Sequence, residues 1–417
     1  MTALSDTRPA PVFRSVRHVA LIGWFVLLST QSVTVVAGLA GVITLGTVFS
    51  NQDKLNATLR LSWPVLVVIL IGLAGGALRV DVDAWAYFRD FTYLAKVPLI
   101  LYVSLLVGRW IDDLDAVFRA IFQAAVLLAV FYLLSYIHHA GWDMSRRDLR
   151  ITVGRGYYLI VFGLLVALFA PRALSAEGRV PVLQIALGVT VMAAAIIAST
   201  SRGMLICMPM FFLAALIFFA RVPFRWVLVG LIGAVSALSL PPVTGLLSAA
   251  LAHWDARMVN EMVATDFGSP MQIRDAFRSY EAHLAWRQFQ GFDPLEKLFG
   301  QGFGALVYLT FPVELGATAA TQQTYTAVPI THVSLTTALV KLGVLGSVFY
   351  MICLLPMVLP RAQARSRMHL LFNHTAILLC LFIIWTFQGL FSTLDLINIA
   401  VAVIGLTHAL RRCPGPG

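Results

Sequence analysis

Long apolar runs alternating with short polar connections dominate this chain of 417 residues. A helix needs about 20 apolar residues to cross a bilayer, and the first run, 18–50, is too long for one upright helix. The polar stretch STQSVT (29–34) lies near its middle, so we predict a hairpin of two short spans, with one tilted helix as the alternative. Further spans are predicted at 61–78, 92–108, 117–137, 156–171, 181–199, 203–220, 226–242, 332–358, 369–390 and 392–410. The pattern therefore predicts an all-α, polytopic transmembrane bundle of about 12 spans, or about 11 with the tilted helix.

Composition supports a chain that is solvated by lipid. Of its residues 59% are apolar and 12% are charged, whereas soluble domains carry about 25% charged residues. The formal net charge is +10, but the basic residues are scattered over short connections between apolar runs. This distribution indicates topology signals and contact with lipid headgroups, not nucleic-acid binding. The four cysteines show neither metal-site spacing nor a disulfide framework.

The basic residues also favour one topology. With the N-terminus inside, lysine and arginine collect in the short inside loops, which is the positive-inside pattern, and both termini are cytoplasmic. The hydrophilic stretch 243–331 then lies outside, where loops of this size usually carry function. We therefore divide the chain into transmembrane helices at 1–242 (about nine spans), the long outside loop at 243–331 and C-terminal transmembrane helices at 332–410 (about three spans).

Arginines in two short outside connections are candidates for anion binding. The segment 138–156 breaks the charge rule with several arginines, including Arg155. Either the topology differs there, or these arginines are retained because they bind an anion, which we favour. In STSRG (199–203), Arg202 either extends its head to the lipid headgroups or holds a pyrophosphate, since a guanidinium binds phosphates in bidentate geometry.

The long outside loop contains a predicted amphipathic helix. Within 271–290 the apolar residues recur at helical spacing, at Phe277, Tyr280 and Leu284. Arg274 and Arg278 lie four residues apart and so share one face, and GFDP (291–294) ends the helix. We expect such a helix to lie flat at the outer membrane surface and to offer its arginines to an anion. The glycines of GQGFG (300–304) follow no strand, so they indicate a tight turn and not a dinucleotide-binding loop.

His332 opens the apolar run 332–358. A histidine at a helix end is either a hydrogen-bonded structural residue or a general base, and the residues alone leave both open. Thr336, one turn away, makes this end of the helix polar on one side. Lys341 lies on about the opposite face, so we expect it to pair with another span or to mark an interior cavity.

Three features occur in order along residues 150–360: SRG at 201–203, an arginine-bearing helix with Arg278 followed by Pro294 and GQG at 300–302, and His332 followed by LG at 342–343 and a further glycine. This arrangement resembles the O-antigen ligase and O-antigen polymerase superfamily of bacterial glycan-assembly membrane proteins. The chain departs from the family pattern at Val333, where asparagine commonly follows the histidine.

The resemblance implies transfer of a glycan from undecaprenyl pyrophosphate to a sugar hydroxyl at the periplasmic face of the bacterial inner membrane. It implies His332 as the base for the acceptor and arginines as pyrophosphate ligands, with Arg202 and Arg278 favoured over Arg274, Arg287 and Arg155. The resemblance makes the long outside loop a periplasmic loop, and this loop contains no DxD-type acidic cluster. We therefore expect no metal and no cofactor. By analogy we expect an inverting mechanism.

The acceptor separates two versions of this function. A ligase, which we favour, acts on lipid A-core, and a polymerase extends a growing polysaccharide on the carrier. A secondary transporter is the alternative of another class, because about 12 spans is common there, but we find no internal repeat. A non-catalytic component of a glycan-export assembly is the third hypothesis.

Overall fold

The computed structural model describes the following residues: 11–79, 82–111, 114–140, 157–169, 174, 180–199, 267, 273, 276–315, 323–354, 356, 389–391 and 395–410. Of the described residues 82% are helical, as expected for a helical membrane protein. The predicted spans 203–220 and 226–242 lie outside the described residues, as does the span 369–390 apart from its last two positions.

The first apolar run forms two helices, α1 (Pro11–Thr30) and α2 (Val33–Thr47). Ser32 begins α2 as its N-cap, and its hydroxyl accepts a hydrogen bond from the Val35 amide at 3.3 Å. The division predicted at STQSVT is confirmed, because the hydroxyl satisfies an amide that has no partner within the helix.

Further helices follow in chain order: α3 (Gln52–Ala77), α4 (Ala84–Val107), α5 (Leu114–Ala140), α6 (Tyr157–Phe169), α7 (Val182–Ser199), α8 (Phe277–Gln290), α9 (Pro294–Phe299), α10 (Ser334–Ile352) and α11 (Asp395–Leu410). Among the described residues four helices, α3, α4, α5 and α10, are long and apolar enough to cross a membrane. Helices α1, α2, α6, α7 and α11 contain shorter apolar stretches.

The region predicted as a long loop carries two strands that the all-α prediction omitted. Strands β1 (Val307–Leu315) and β2 (Gln323–Val328) pair in antiparallel fashion, with Val307 opposite Val328 and Leu315 opposite Gln323. Val307 and Leu309 are buried while Tyr308 and Thr310 are exposed. This alternation with a period of two suits a strand that has one face on a core.

The helix predicted within 271–290 is confirmed over Phe277–Gln290, and it ends at Gly291. Its buried side is not turned to lipid. Tyr280, Ala285 and Phe289 pack into one apolar cluster with residues of β1, β2 and α10. Helix α10 contributes its first half to this cluster and is interrupted at Gly343, where φ is 62° and ψ is −167°.

Two compact units contain these elements. The first comprises Met1–Thr58, Leu99–Met208 and Leu394–Gly417, and the second comprises Leu59–Pro98 and Pro209–Thr393. Within the first unit the buried Asn398 of α11 donates a hydrogen bond to the Leu28 carbonyl of α1 at 3.2 Å. Within the second lie His332, Arg278 and Arg287.

Candidate functional site

His332 lies in the short connection between β2 and α10, and a hydroxyl network holds this connection in place. The Thr331 amide donates to the Thr337 hydroxyl at 2.9 Å, and the Thr331 hydroxyl donates to the Val333 carbonyl at 2.7 Å. The Thr331 and Thr336 hydroxyls lie 2.9 Å apart. The polar side that the sequence shows at this helix end therefore has a structural use, since it orders the backbone on both sides of His332.

A buried carboxylate, Glu281 of α8, holds the His332 side chain. Its Oε2 atom lies 2.6 Å from Nδ1 of the ring and accepts the His332 backbone N–H at 3.1 Å. Glu281 is 1% exposed, and the Phe277 ring meets the imidazole edge to face at 6.0 Å between centroids. The carboxylate is therefore enclosed, and both of these contacts fix the same residue.

The contact with Glu281 also selects the tautomer of the histidine. A carboxylate oxygen accepts hydrogen bonds, so Nδ1 donates, and in the neutral ring Nε2 carries the lone pair. The His332 side chain is 36% exposed, and no hydrogen bond from Nε2 to another described residue is present. A partly exposed imidazole with an oriented, proton-accepting nitrogen is the arrangement that a general base needs.

The two described arginines of the predicted site occupy opposite faces of α8. Arg278 is partly buried in the first turn, three residues before Glu281, so the two positions are neighbours on the helix surface. Arg287 is exposed in the last turn, about 14 Å further along the axis and half a rotation away. The fold thus brings Arg278, and not Arg287, to the side of α8 that holds His332. Arg202, Arg274 and Arg155 lie outside the described residues.

Lys341 pairs with a carboxylate of another predicted span, Asp90 of α4, which is one of the two alternatives drawn from the sequence. Its Nζ lies 2.5 Å from Asp90 Oδ2 and donates to the Ala305 carbonyl at 2.7 Å. Asp90 also accepts the Gly304 amide at 2.9 Å and faces Arg89 at 3.1 Å. Lys341 and Asp90 are 1% and 0% exposed. Both groups are enclosed and bond to protein partners, so the pair serves the structure.

The GQGFG turn joins this ion pair to two helices. Gly300, Gly302 and Gly304 all have positive φ values near 80° (75°, 80° and 82°), a region that glycine adopts at little cost. The Gln301 and Gly302 amides donate to the Val340 and Lys341 carbonyls, at 2.9 and 2.8 Å. These carbonyls lie in the turn of α10 just before the interruption, where the helical ladder is broken.

Two further amides of the turn donate to α3 and α4. Phe303 N–H bonds to the Gly72 carbonyl at 2.8 Å, and Gly304 N–H bonds to Asp90. The predicted tight turn is confirmed. Protein oxygens take the amides of residues 301–304, so this glycine-rich turn has none left to cradle a phosphate.

Glu281 and Asp90 are the site residues that sequence reasoning missed. Glu281 lies three residues from Arg278 on the same predicted helix, and that spacing was the available signal for it. Asp90 lies two positions before the predicted span 92–108. A carboxylate there, matched with the lysine of another span, was the available signal.

Comparison with known proteins adds no family to these observations: no protein-family model matches the chain, and no curated protein matches it. The resemblance to glycan-assembly enzymes therefore stays a prediction from the motifs, and the function must be argued from the geometry of His332, Glu281 and Arg278.

Proposed function

We propose that the protein is a lipid-carrier-dependent glycosyltransferase of the O-antigen ligase type. It transfers a glycan from undecaprenyl pyrophosphate to a hydroxyl of lipid A-core, at the periplasmic face of the bacterial inner membrane. In this proposal the chain crosses the membrane about 12 times with both termini in the cytoplasm. The reaction is an inverting displacement that uses neither a metal nor another cofactor.

One observation carries the proposal. A buried carboxylate orients a partly exposed histidine through Nδ1 at 2.6 Å, and the same face of the same helix carries Arg278. A base for a hydroxyl and a cation for a diphosphate are the two groups that transfer from a diphosphate carrier requires. The order of the motifs along the chain supports the same enzyme class.

The geometry suggests how the step proceeds. His332 Nε2 takes the proton of the acceptor hydroxyl while the oxygen of that hydroxyl bonds to the anomeric carbon of the donor. The bond from that carbon to the phosphate oxygen breaks, and the diphosphate keeps the electron pair. Arginine side chains, Arg278 and in the proposal also Arg202, stabilise the negative charge that develops on the leaving group. Glu281 stabilises the imidazolium that forms.

The direct test is transfer by the purified protein in proteoliposomes containing undecaprenyl-pyrophosphate-linked oligosaccharide. Product that forms only when lipid A-core is added supports the ligase. A ladder of longer lipid-linked products without lipid A-core indicates the repeat-unit polymerase of the same superfamily. Uptake of a solute into sealed vesicles with no transfer would instead revive the transporter.

Replacement of Glu281 by glutamine tests the role given to the carboxylate. The amide retains an oxygen that accepts the two N–H groups of His332, but it lacks the charge that stabilises an imidazolium. We expect a protein with unchanged thermal unfolding and a reduced turnover number. Full activity in Glu281→Gln would show that the charge of the Glu281 carboxylate does not contribute to transfer.

A further inference from the structure

Helix α9 presents apolar side chains that nothing else in the described structure covers. Leu295, Leu298 and Phe299 are 70%, 44% and 42% exposed. They lie three and four residues apart, which puts them on one stripe of the helix. Lys297 is exposed as well, and at 100° per residue it lies about 160° from Leu295. The helix is therefore amphipathic, with its apolar stripe unpartnered.

The end of α9 is held against two helices that are apolar enough to span a membrane. Gly300 directly follows α9 and packs on the backbone of Lys341, Leu342 and Gly343 so closely that a Cβ atom would collide with it. The next residues bond to the Lys341 carbonyl of α10 and the Gly72 carbonyl of α3. The depth of α9 in the membrane therefore follows from these contacts.

The position of Gly72 in α3 sets that depth. The charged residues of α3, Asp53, Lys54 and Arg60, all lie in its first nine residues, so its C-terminal part, 61–77, is the part that crosses the hydrocarbon. Gly72 lies five residues before the last residue of α3, about 8 Å from its end. The bond from Phe303 to Gly72 thus places the turn after α9 about 8 Å below the C-terminal end of α3. Gln301 of the turn accepts a hydrogen bond at 3.4 Å from Arg79, which follows that end, so the depth is typical of an interfacial helix.

Charge placement agrees with a position at the membrane interface and not deeper. Asp293 caps α9 by accepting the Leu295 and Glu296 amides, at 2.8 Å each, and Lys297 is exposed. Charged groups are costly at the bilayer centre but are readily accommodated at headgroup level. The buried side chains of the neighbouring helix α8 pack into the apolar cluster with the strands, so that side of α8 does not face lipid.

We propose that α9 is an interfacial anchor: Leu295, Leu298 and Phe299 insert among the acyl chains of the bilayer that the chain itself spans, and Asp293 and Lys297 stay among the headgroups. Because the GQGFG turn that follows α9 bonds to the Val340 and Lys341 carbonyls of α10, the anchor and α10 are held at one height relative to the membrane. The proposal does not depend on glycosyltransferase activity.

The test compares two positions on α9 that differ only in the side of the helix. Leu295→Cys and Lys297→Cys are made with Cys207, Cys380 and Cys413 replaced by alanine, and Cys353 is kept because it is buried. Each variant is labelled with an NBD fluorophore and reconstituted into vesicles of phosphatidylethanolamine and phosphatidylglycerol. Both positions are exposed, so neither substitution removes a packing contact.

We expect the label at position 295 to emit at shorter wavelength, to lose fluorescence when a doxyl-labelled lipid is added, and to be shielded from iodide. The label at position 297 should respond to iodide. Equal quenching by iodide at both positions, or no quenching at position 295 by the doxyl lipid, overturns the proposal. Phe299→Cys is a second probe of the stripe, and it must behave like position 295.

Discussion

The two ends of the first half of α10 carry the same kind of contact in different surroundings. At its N-terminal end Glu281 Oε2 lies 2.6 Å from His332 Nδ1, and at its interrupted middle Asp90 Oδ2 lies 2.5 Å from Lys341 Nζ. The His332 side chain is 36% exposed, whereas the Lys341 side chain is 2% exposed. An enclosed carboxylate–ammonium pair therefore stabilises the packing of the elements that it connects. A carboxylate–histidine pair can instead take part in a reaction when the imidazole stays accessible.

The partners of each pair explain the difference. Lys341 also bonds to the Ala305 carbonyl, and Asp90 also accepts the Gly304 amide, so their bonding capacity is used within the protein. One oxygen of Glu281, Oε2, accepts both the backbone and the Nδ1 hydrogen of His332. The other ring nitrogen, Nε2, is therefore left for another molecule. The Asp90–Lys341 pair stabilises the fold, and the Glu281–His332 pair orients a side chain that can accept a proton.

The largest effect on transfer is expected when the accessible imidazole of His332 is removed. His332→Ala should lower the transfer rate by about 10²- to 10⁴-fold, the usual contribution of a general base, and should also lower thermal stability, because the buried Glu281 then keeps only the backbone N–H of residue 332. The rate is measured by product formation in proteoliposomes. His283→Ala is the matched control, since His283 is an exposed histidine of the same region, and it should retain activity. Equal losses in both variants would falsify the role of His332.

The enclosed pair should instead respond in stability. Asp90→Asn leaves the Lys341 ammonium buried without a counter-charge, so we expect a loss of about 3–5 kcal/mol in the free energy of unfolding. Thermal unfolding in detergent measures it. The double variant Asp90→Asn, Lys341→Met should recover much of the loss because no charge remains buried.

Asp83→Asn is the control for this chemical change. The Asp83 carboxylate accepts the Ala86 amide at 2.7 Å at the start of the same helix, a role that asparagine fills about equally well. It should unfold like the wild type. An Asp90→Asn protein that also unfolds like the wild type would show that the Asp90–Lys341 pair does not stabilise the fold.

The two arginines of α8 test which face of this helix binds the diphosphate. Arg278→Ala should reduce transfer by an amount equivalent to about 1.5–3 kcal/mol, the range for a hydrogen bond to a charged group. Arg287→Ala removes the same side chain from the opposite face of the helix and should leave the rate close to that of the wild type. A larger loss in Arg287→Ala than in Arg278→Ala would assign the diphosphate to the other face.

A smaller effect is expected where the glycine-rich turn meets α3. A Cβ atom on Gly302 would collide with the Gly76 backbone, and φ is 80° there. Gly302→Ala should therefore lower the free energy of unfolding by about 1–3 kcal/mol. Gly38→Ala, in α2, has nothing within 4 Å and should be neutral or slightly stabilising. If the two variants had the same melting temperature, the turn would not be closely packed.

Much of the candidate site could be predicted because its signals are local. His332 is conspicuous as an ionisable residue at the start of an apolar run, and α8 follows from its spacing of Phe277, Tyr280 and Leu284. The sequence favours Arg278 over Arg287 only by its spacing to Pro294 and the glycine turn, and the helix face that holds Glu281 gives a physical reason for the distinction. The same helix shows the limit of periodicity, because an amphipathic pattern does not say whether lipid or protein covers the apolar side.

The sequence by itself determined the class of the molecule and the approximate positions of its apolar helices, although α3 and α4 begin nine and eight residues before the spans predicted at 61–78 and 92–108. Apolar runs of bilayer length become helices because a helix satisfies its backbone within the segment, and the break at Ser32 needs only a local cap. The tertiary structure decided the partners: Asp90 for Lys341, 251 positions away, and Glu281 for His332, 51 positions away. No local pattern specifies such contacts, because they depend on which elements become neighbours when the chain packs.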